Sequence, residues 1–153
     1  KQSFFVPGWC IENYPDAVEA ILAGGHEIGH HGYLHEDPID APDQRAWFEK
    51  ALAAHQKYCG GIPAGYRAPV YNINQQVVDL LIEHGFRYDS SMMADDIPYR
   101  LKTAAGELWE MPVHWGTDDW PPFAHYAEIG YMMPVKAPSS GLAAFWEEFD
   151  AAY

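Results

Sequence analysis

An α/β domain built on a mostly parallel sheet is the fold class this sequence predicts. Three observations carry it: short extended runs alternate with amphipathic segments, the clearest helical segments close on glycines, and neither a repeat nor a low-complexity linker interrupts the order. The chain has 153 residues, which suits one domain. A complete (β/α)₈ barrel typically needs about 250 residues, or about 200 at the low end, so length alone argues against a whole one.

Ser3 to Val6 is an apolar run closed by Pro7-Gly8, which predicts a buried strand ending in a turn. Pro15 to Ala23 places Ala17, Val18, Ile21 and Leu22 at helical spacing, with Pro15 near the start and Gly24-Gly25 at the stop. His26 to Gly29 predicts a second extended segment. After a loop rich in Asp and Pro, Gln44 to Tyr58 carries Trp47, Phe48, Ala51, Leu52 and His55 on one side and stops at Gly60-Gly61. Gly65 to Pro69 predicts a strand running into a loop, and Gln75 to His84 a helix capped by Asn74 and ended by Gly85. Phe86 to Asp89 and Leu108 to Val113 predict further strands. An aromatic, proline-rich loop follows from Trp115 to Tyr131, and then a helix through Leu142, Phe145, Trp146 and Phe149 capped by Ser139 or Ser140.

Composition narrows the function classes. Nine Lys and Arg against 22 Asp and Glu leave a formal charge of −13. Nucleic-acid partners are therefore excluded, because phosphate recognition needs a basic surface. A polyanionic polymer is disfavoured for the same reason. No run of 18 apolar residues is present, so no transmembrane segment is expected. Cys10 and Cys59 are too few for a disulfide framework, and two buried free thiols are the expectation. The chain opens without methionine, inside a strand, and without a signal peptide, so it reads as part of a longer protein. Localisation stays open on that account, with the cytoplasm slightly favoured over the envelope.

Polar chemistry in α/β folds gathers in loops beyond the carboxyl ends of strands. Three loops fit: those after Gly29, after Arg67 and after Val113. The first is unusual, since four of the eight histidines fall within the ten residues from His26 to His35. Two metal readings compete. His26-Glu27-Ile28-Gly29-His30 is a literal H-E-x-x-H, which serves zinc peptidases only when a helix puts both imidazoles on one face. Gly24-Gly25, Gly29 and Gly32 oppose a helix there. The alternative pair, His31 and His35, stands at i and i+4 just past the strand. Two histidines, an oxygen ligand and an open position make the pattern of a catalytic zinc.

The stretch Gly25-His26-Glu27-Ile28-Gly29-His30-His31-Gly32-Tyr33-Leu34-His35 resembles the histidine motif of the polysaccharide deacetylase family, the NodB-homology domain of carbohydrate esterases. Phe4 to Gly8 resembles the strand leading to it. Tyr66-Arg67-Ala68-Pro69 is similar to the family's arginine-proline motif, and Trp115 to Pro121 to its aspartate-tryptophan motif. The wording is closer to the peptidoglycan-deacetylase-like, cyclic-imidase-like and allantoinase-like branch than to chitin deacetylases.

The resemblance implies a distorted (β/α) barrel of the glycoside hydrolase/deacetylase type. Residues 1–153 would be a partial domain, lacking the first strand and the C-terminal part. It implies a divalent metal ion, Zn²⁺ first, held by His31 and His35, with Arg67 orienting the catalytic carboxylate. It implies that Asp118 or Asp119 tunes a distant histidine and that Trp120 walls the pocket. Trp115, Trp120, Phe123 and Tyr126 would offer an aromatic platform for a sugar or imide ring. Tyr71 and Tyr88-Asp89-Ser90-Ser91 would belong to the same rim.

The family's aspartate motif, with catalytic base and third metal ligand, is expected upstream of residue 1, and its general-acid histidine after residue 153. The isolated chain is accordingly expected to be inactive and, with an unpaired sheet edge, poorly soluble. The implied function is hydrolysis of a non-peptide C–N bond, most naturally deacetylation of an N-acetylated sugar or peptidoglycan. A cyclic-imide or ureide hydrolase and a catalytically inactive ligand-binding relative are the alternatives. A small molecule or glycan is the expected partner, and a homo-oligomer stays open.

Overall fold

Alternating strands and helices order the computed structural model, which describes residues 1–118, 120–124 and 135–152. Strand β1 (Ser3–Val6) leads into helices α1 (Gly8–Asn13) and α2 (Pro15–Ala23), and β2 (Glu27–His30) follows. Helix α3 (Gln44–Tyr58), strand β3 (Gly65–Tyr66), a 3₁₀ turn (Pro69–Tyr71), helix α4 (Gln75–Glu83) and strand β4 (Tyr88–Asp89) continue the alternation. A hairpin of β5 (Tyr99–Thr103) and β6 (Gly106–Glu110) completes a sheet of order β1-β2-β3-β4-β6-β5. All pairings are parallel except β5 with β6.

These elements follow from local chemistry. The Asp43 carboxylate accepts from the Ala46 N–H at 3.0 Å and starts α3, and the Asn74 side chain accepts from the Val77 N–H at 3.1 Å and starts α4. Gly85, at φ +79°, supplies the left-handed turn that takes the chain from α4 to β4. Helix α3 turns Phe48, Ala51, Leu52, Ala54 and His55 inward, and α4 turns Val77, Val78, Leu80 and Leu81 inward. Phe48, Leu52 and the α4 residues meet Tyr66, Phe86 and Leu108 in one buried cluster. A smaller cluster joins Ile11, Val18, Ile28 and Ala54 under α1 and α2.

Four expectations are corrected. Pro7-Gly8 does not end in a turn but opens α1, whose first amides are used: Gly8 N–H donates to the Gly32 carbonyl and Trp9 N–H to that of Tyr33, both at 2.9 Å. Strand β5 was not expected, although Tyr99, Leu101 and Thr103 alternate with Arg100 and Lys102. The final strand is Gly106–Glu110 rather than Leu108 to Val113. Cys10 and Cys59 are free, as expected, but half-buried rather than buried.

A second compact unit covers Val113–Tyr153. It holds a 3₁₀ turn (Trp115–Thr117) and helices α5 (Trp120–Phe123) and α6 (Pro138–Ala152), so the segment after Trp115 is not wholly loop. Helix α6 begins at Pro138, which places Ser139 and Ser140 inside its first turn rather than at its cap.

One face of the first unit's sheet is shaped by glycine. A Cβ on Gly65 would lie 2.1 Å from Cζ of Tyr88, whose hydroxyl donates to Glu27 at 2.9 Å. Gly65→Ala is therefore expected to displace the Tyr88 ring and to destabilise the protein by about 1–3 kcal/mol. The urea midpoint reads this, and prior truncation of Tyr88 to alanine should remove most of the penalty.

Candidate metal centre

Three parallel strands deliver the site. His31 follows β2, Arg67 follows β3, and Ser90-Ser91 follows β4, each at a carboxyl end. Period-2 alternation along β2 separates the histidines of the motif. His30 is fully buried between sheet and α3, its ring stacked on Phe48 at 4.5 Å and on His55 at 5.5 Å. Its Nε2 donates to the Phe48 carbonyl at 3.0 Å, which leaves Nδ1 to accept from the Gly32 N–H at 3.3 Å. Burial, then the charge of His55, lowers its pKa to about 3, so it is a neutral core residue. His26 sits before the strand, accepts from the Gln2 N–H at 3.1 Å and meets Phe4 edge to face. The H-E-x-x-H segment is a strand, and His26 and His30 share no site.

His31 and His35 do come together, with ring centroids 4.8 Å apart and planes at 73°. The loop between them is pinned from several sides. Tyr33 N–H and Leu34 N–H both donate to the Glu36 carboxylate, the Tyr33 hydroxyl donates to Glu12 at 2.7 Å, and α1 holds the Gly32 and Tyr33 carbonyls as described. Gly32 (φ +69°) and His35 (φ +61°) take the left-handed conformation that turns the chain back on itself. Strain is concentrated here. His35, Val70 (φ +51°) and Tyr71 (φ +60°) are the non-glycine residues with positive φ among those described, and they lie in the two loops around Arg67 and His31.

Nδ1 of His31 lies 2.7 Å from the Arg67 carbonyl. A carbonyl can only accept, so Nδ1 carries the proton and Nε2 keeps its lone pair. Burial lowers the His31 pKa to about 4, outweighing the rise from that hydrogen bond. The ring is thus neutral at pH 7, the form a metal requires, and its tautomer is fixed by a backbone partner as metal-binding histidines generally are. Neutral His31 and adjacent His35 fit two positions of a divalent-metal donor set. Among the described residues no third His, Cys, Asp or Glu joins them.

Among the described residues Arg67 forms no surface ion pair. Its Nε donates to the Ser90 carbonyl at 2.8 Å and its terminal nitrogen to Ser90 Oγ at 2.7 Å. The guanidinium lies 4.6 Å from the Phe5 ring centroid and 5.9 Å from that of Tyr71. Tyr71 therefore stands on the arginine side of the site. Trp115, Asp118 and Trp120 belong to the second unit. There Asp118 Oδ1 accepts from the Trp120 N–H at 2.9 Å and starts α5, while Trp115 and Trp120 are 59% and 52% exposed. Asp119 and Tyr126 lie outside the described residues.

Residue reading missed a pair of fully buried carboxylates, Asp89 on β4 and Glu110 on β6, which face each other in register. Asp89 had been placed only on the rim. The available signal for Glu110 was an acidic residue at an inward position of a strand, in line with buried Leu108.

Comparison with known proteins gives the family and the fold. The family model described as polysaccharide deacetylase matches residues 1–88. A peptidoglycan deacetylase of Helicobacter pylori is 31% identical over 180 residues, covering 99% of this chain and 60% of the relative. A crystal structure from Mycobacterium smegmatis, assigned to the polysaccharide deacetylases, is 36% identical with a TM-score of 0.89 and covers 97% of this chain and 53% of its own. An allantoinase shares the fold, with a TM-score of 0.78 at 22% identity over 97% of this chain and 48% of its own. The chain thus spans between about half and three fifths of these relatives. Its mixed α/β architecture, its parallel sheet and its fold neighbours agree with the predicted fold class, and the match over residues 1–88 shows that the chain belongs to the polysaccharide deacetylase family.

Proposed function

We propose that the protein is a metal-dependent hydrolase of non-peptide amide bonds that removes acetyl groups from an N-acetylated glycan, with peptidoglycan the first candidate. The carrying observation is the paired imidazoles of His31 and His35, with His31 held neutral and Nε2 available at the carboxyl end of a parallel sheet. The name of the Helicobacter pylori relative supports the substrate class.

His31 and His35 would hold the ion, Zn²⁺ in this reading, with a further ligand from outside the described residues. When bound, such an ion polarises a carbonyl oxygen and acidifies its water. The chain's own residues do the rest by positioning. The Arg67 carbonyl fixes the His31 ring through Nδ1, and Ser90 fixes the Arg67 guanidinium in turn. Arg67 keeps a positive charge beside the site, where it can orient a carboxylate and stabilise negative charge developing on the amide oxygen. Tyr71 offers a ring on the same side; in the second unit, taken by itself, the exposed rings of Trp115 and Trp120 can each pack on a sugar face.

The test is an assay of the full-length protein on an N-acetylated peptidoglycan oligosaccharide and on a cyclic imide, before and after chelation. Acetate release that is lost on chelation and restored by Zn²⁺ is the expected result. Turnover of the imide alone would move the protein to the imidase branch, and turnover indifferent to chelation would remove the metal from the reading.

A further inference from the structure

Two carboxyl groups face each other where β4 and β6 pair, both fully buried. Their hydrogen bonds show what that requires. Glu110 Oε1 accepts from the N–H groups of Ser91 at 3.1 Å and Met92 at 3.0 Å. Asp89 Oδ1 accepts from Ser91 Oγ at 2.7 Å, and Oδ2 from Ser91 N–H at 3.2 Å. Glu110 Oε2 is buried with no hydrogen-bond partner, and the one Ser91 N–H that reaches both carboxyl groups sets them side by side. Two carboxylates cannot hydrogen-bond each other, because each only accepts. One proton on the pair removes one of two buried like charges.

The pair is joined to the candidate site by a continuous chain of contacts. Ser91 Oγ, which donates to Asp89, accepts the Ala68 N–H at 2.8 Å. Ser90, between Asp89 and Ser91, receives both donors of Arg67. The Arg67 carbonyl receives Nδ1 of His31. We infer that Asp89 and Glu110 share one proton at neutral pH, and that this acid pair is a positioning element that sets Arg67 by fixing the Ser90–Ser91 segment.

Burial, then the contact with Asp89, raises Glu110 to about 9, and burial raises Asp89 as well. Other groups facing the pair keep its chemistry simple. Burial, then the charge of the pair, shifts Tyr66 on β3 and Tyr99 on β5 upward, so both stay neutral at pH 7. Asp95 acts on Tyr99 as well, and Glu36 and Asp37 act on Tyr66. Among the described residues neither carboxyl group forms a salt bridge, which leaves a shared proton to neutralise the pair.

The relevance to catalysis rests on the proposed function, so the test is read on Arg67 itself and not on turnover. In the intact protein, ¹⁵N NMR follows hydrogen exchange of the Arg67 Nε–H, which the bond to Ser90 protects. Wild type and Glu110→Gln, whose amide keeps a donor toward Asp89 at every pH, are expected to match at pH 7. Above about pH 9 the wild type should exchange at least tenfold faster than Glu110→Gln at the same pH, as the second charge pushes the segment apart. Infrared spectra should show a protonated carboxylic acid in the wild type at pH 7 that is absent in Glu110→Gln. Identical exchange in the two proteins across the range overturns the inference, as does the absence of that carboxylic acid band. Failure of the deacetylase assay would leave both readouts intact.

Discussion

His31→Ala is expected to lower deacetylation by the full-length protein at least about a thousandfold. A metal's polarisation of a carbonyl is worth several kcal/mol, and each 1.36 kcal/mol is a tenfold change in rate. The same variant should lose stoichiometric zinc after dialysis. His26→Ala should keep both zinc and activity to within about twofold, since the His26 ring meets Phe4 and accepts from the Gln2 amide at the sheet's edge. The two variants separate the readings of the histidine cluster. Loss of zinc in the His26 variant with retention in His31→Ala would reverse the assignment of ligands, whatever the substrate proves to be.

The second large effect is acid lability without metal. His30 and His55 are fully buried, and burial lowers them to about 3 and about 4. Each is neutral in the fold and takes up a proton on unfolding below about pH 6.5. The unfolded state thus binds more protons in that window, so stability rises with pH there and falls as pH is lowered. Between pH 7 and 5 the loss is about 2 kcal/mol for each histidine. About 4 kcal/mol together is a large part of the 5–15 kcal/mol typical of a domain. The measurement is the urea midpoint against pH in the presence of chelator, which keeps release of metal from His31 and His35 out of the slope. His55→Leu should flatten the acid limb by close to one proton. An unchanged limb would show that His55 is not held neutral in the fold.

Much of the architecture was readable because its signals are local. Helices α2, α3 and α4 were bounded to within a residue, since Pro15, Asn74, Gly24, Gly60 and Gly85 act on their own turns. The pair His31 and His35 was equally local, four residues apart in one loop. Helix α1 was missed because its use is not local. Its first amides serve carbonyls more than twenty residues away, at Gly32 and Tyr33. The hairpin strand β5 had a period-2 pattern, but its partner β6 decides that the pattern pairs.

What the sequence by itself determined is the order of elements, the apolar faces that fold against the sheet, and the loop that carries two adjacent imidazoles. Those properties depend on residues within one or two turns of each other. Tertiary structure decided which histidines pack in the core and which pair at the strand end, because β2 alternates its side chains and sends His30 into the core while His31 emerges past its end. It also decided what Arg67 does. The sequence reads a cation before proline, whereas the parallel register of Tyr66 with Asp89 and of Asp89 with Glu110 sets two buried acids behind the serines that hold it. Register is a property of paired strands, and only folding brings positions 67, 90 and 110 within hydrogen-bonding reach of one network.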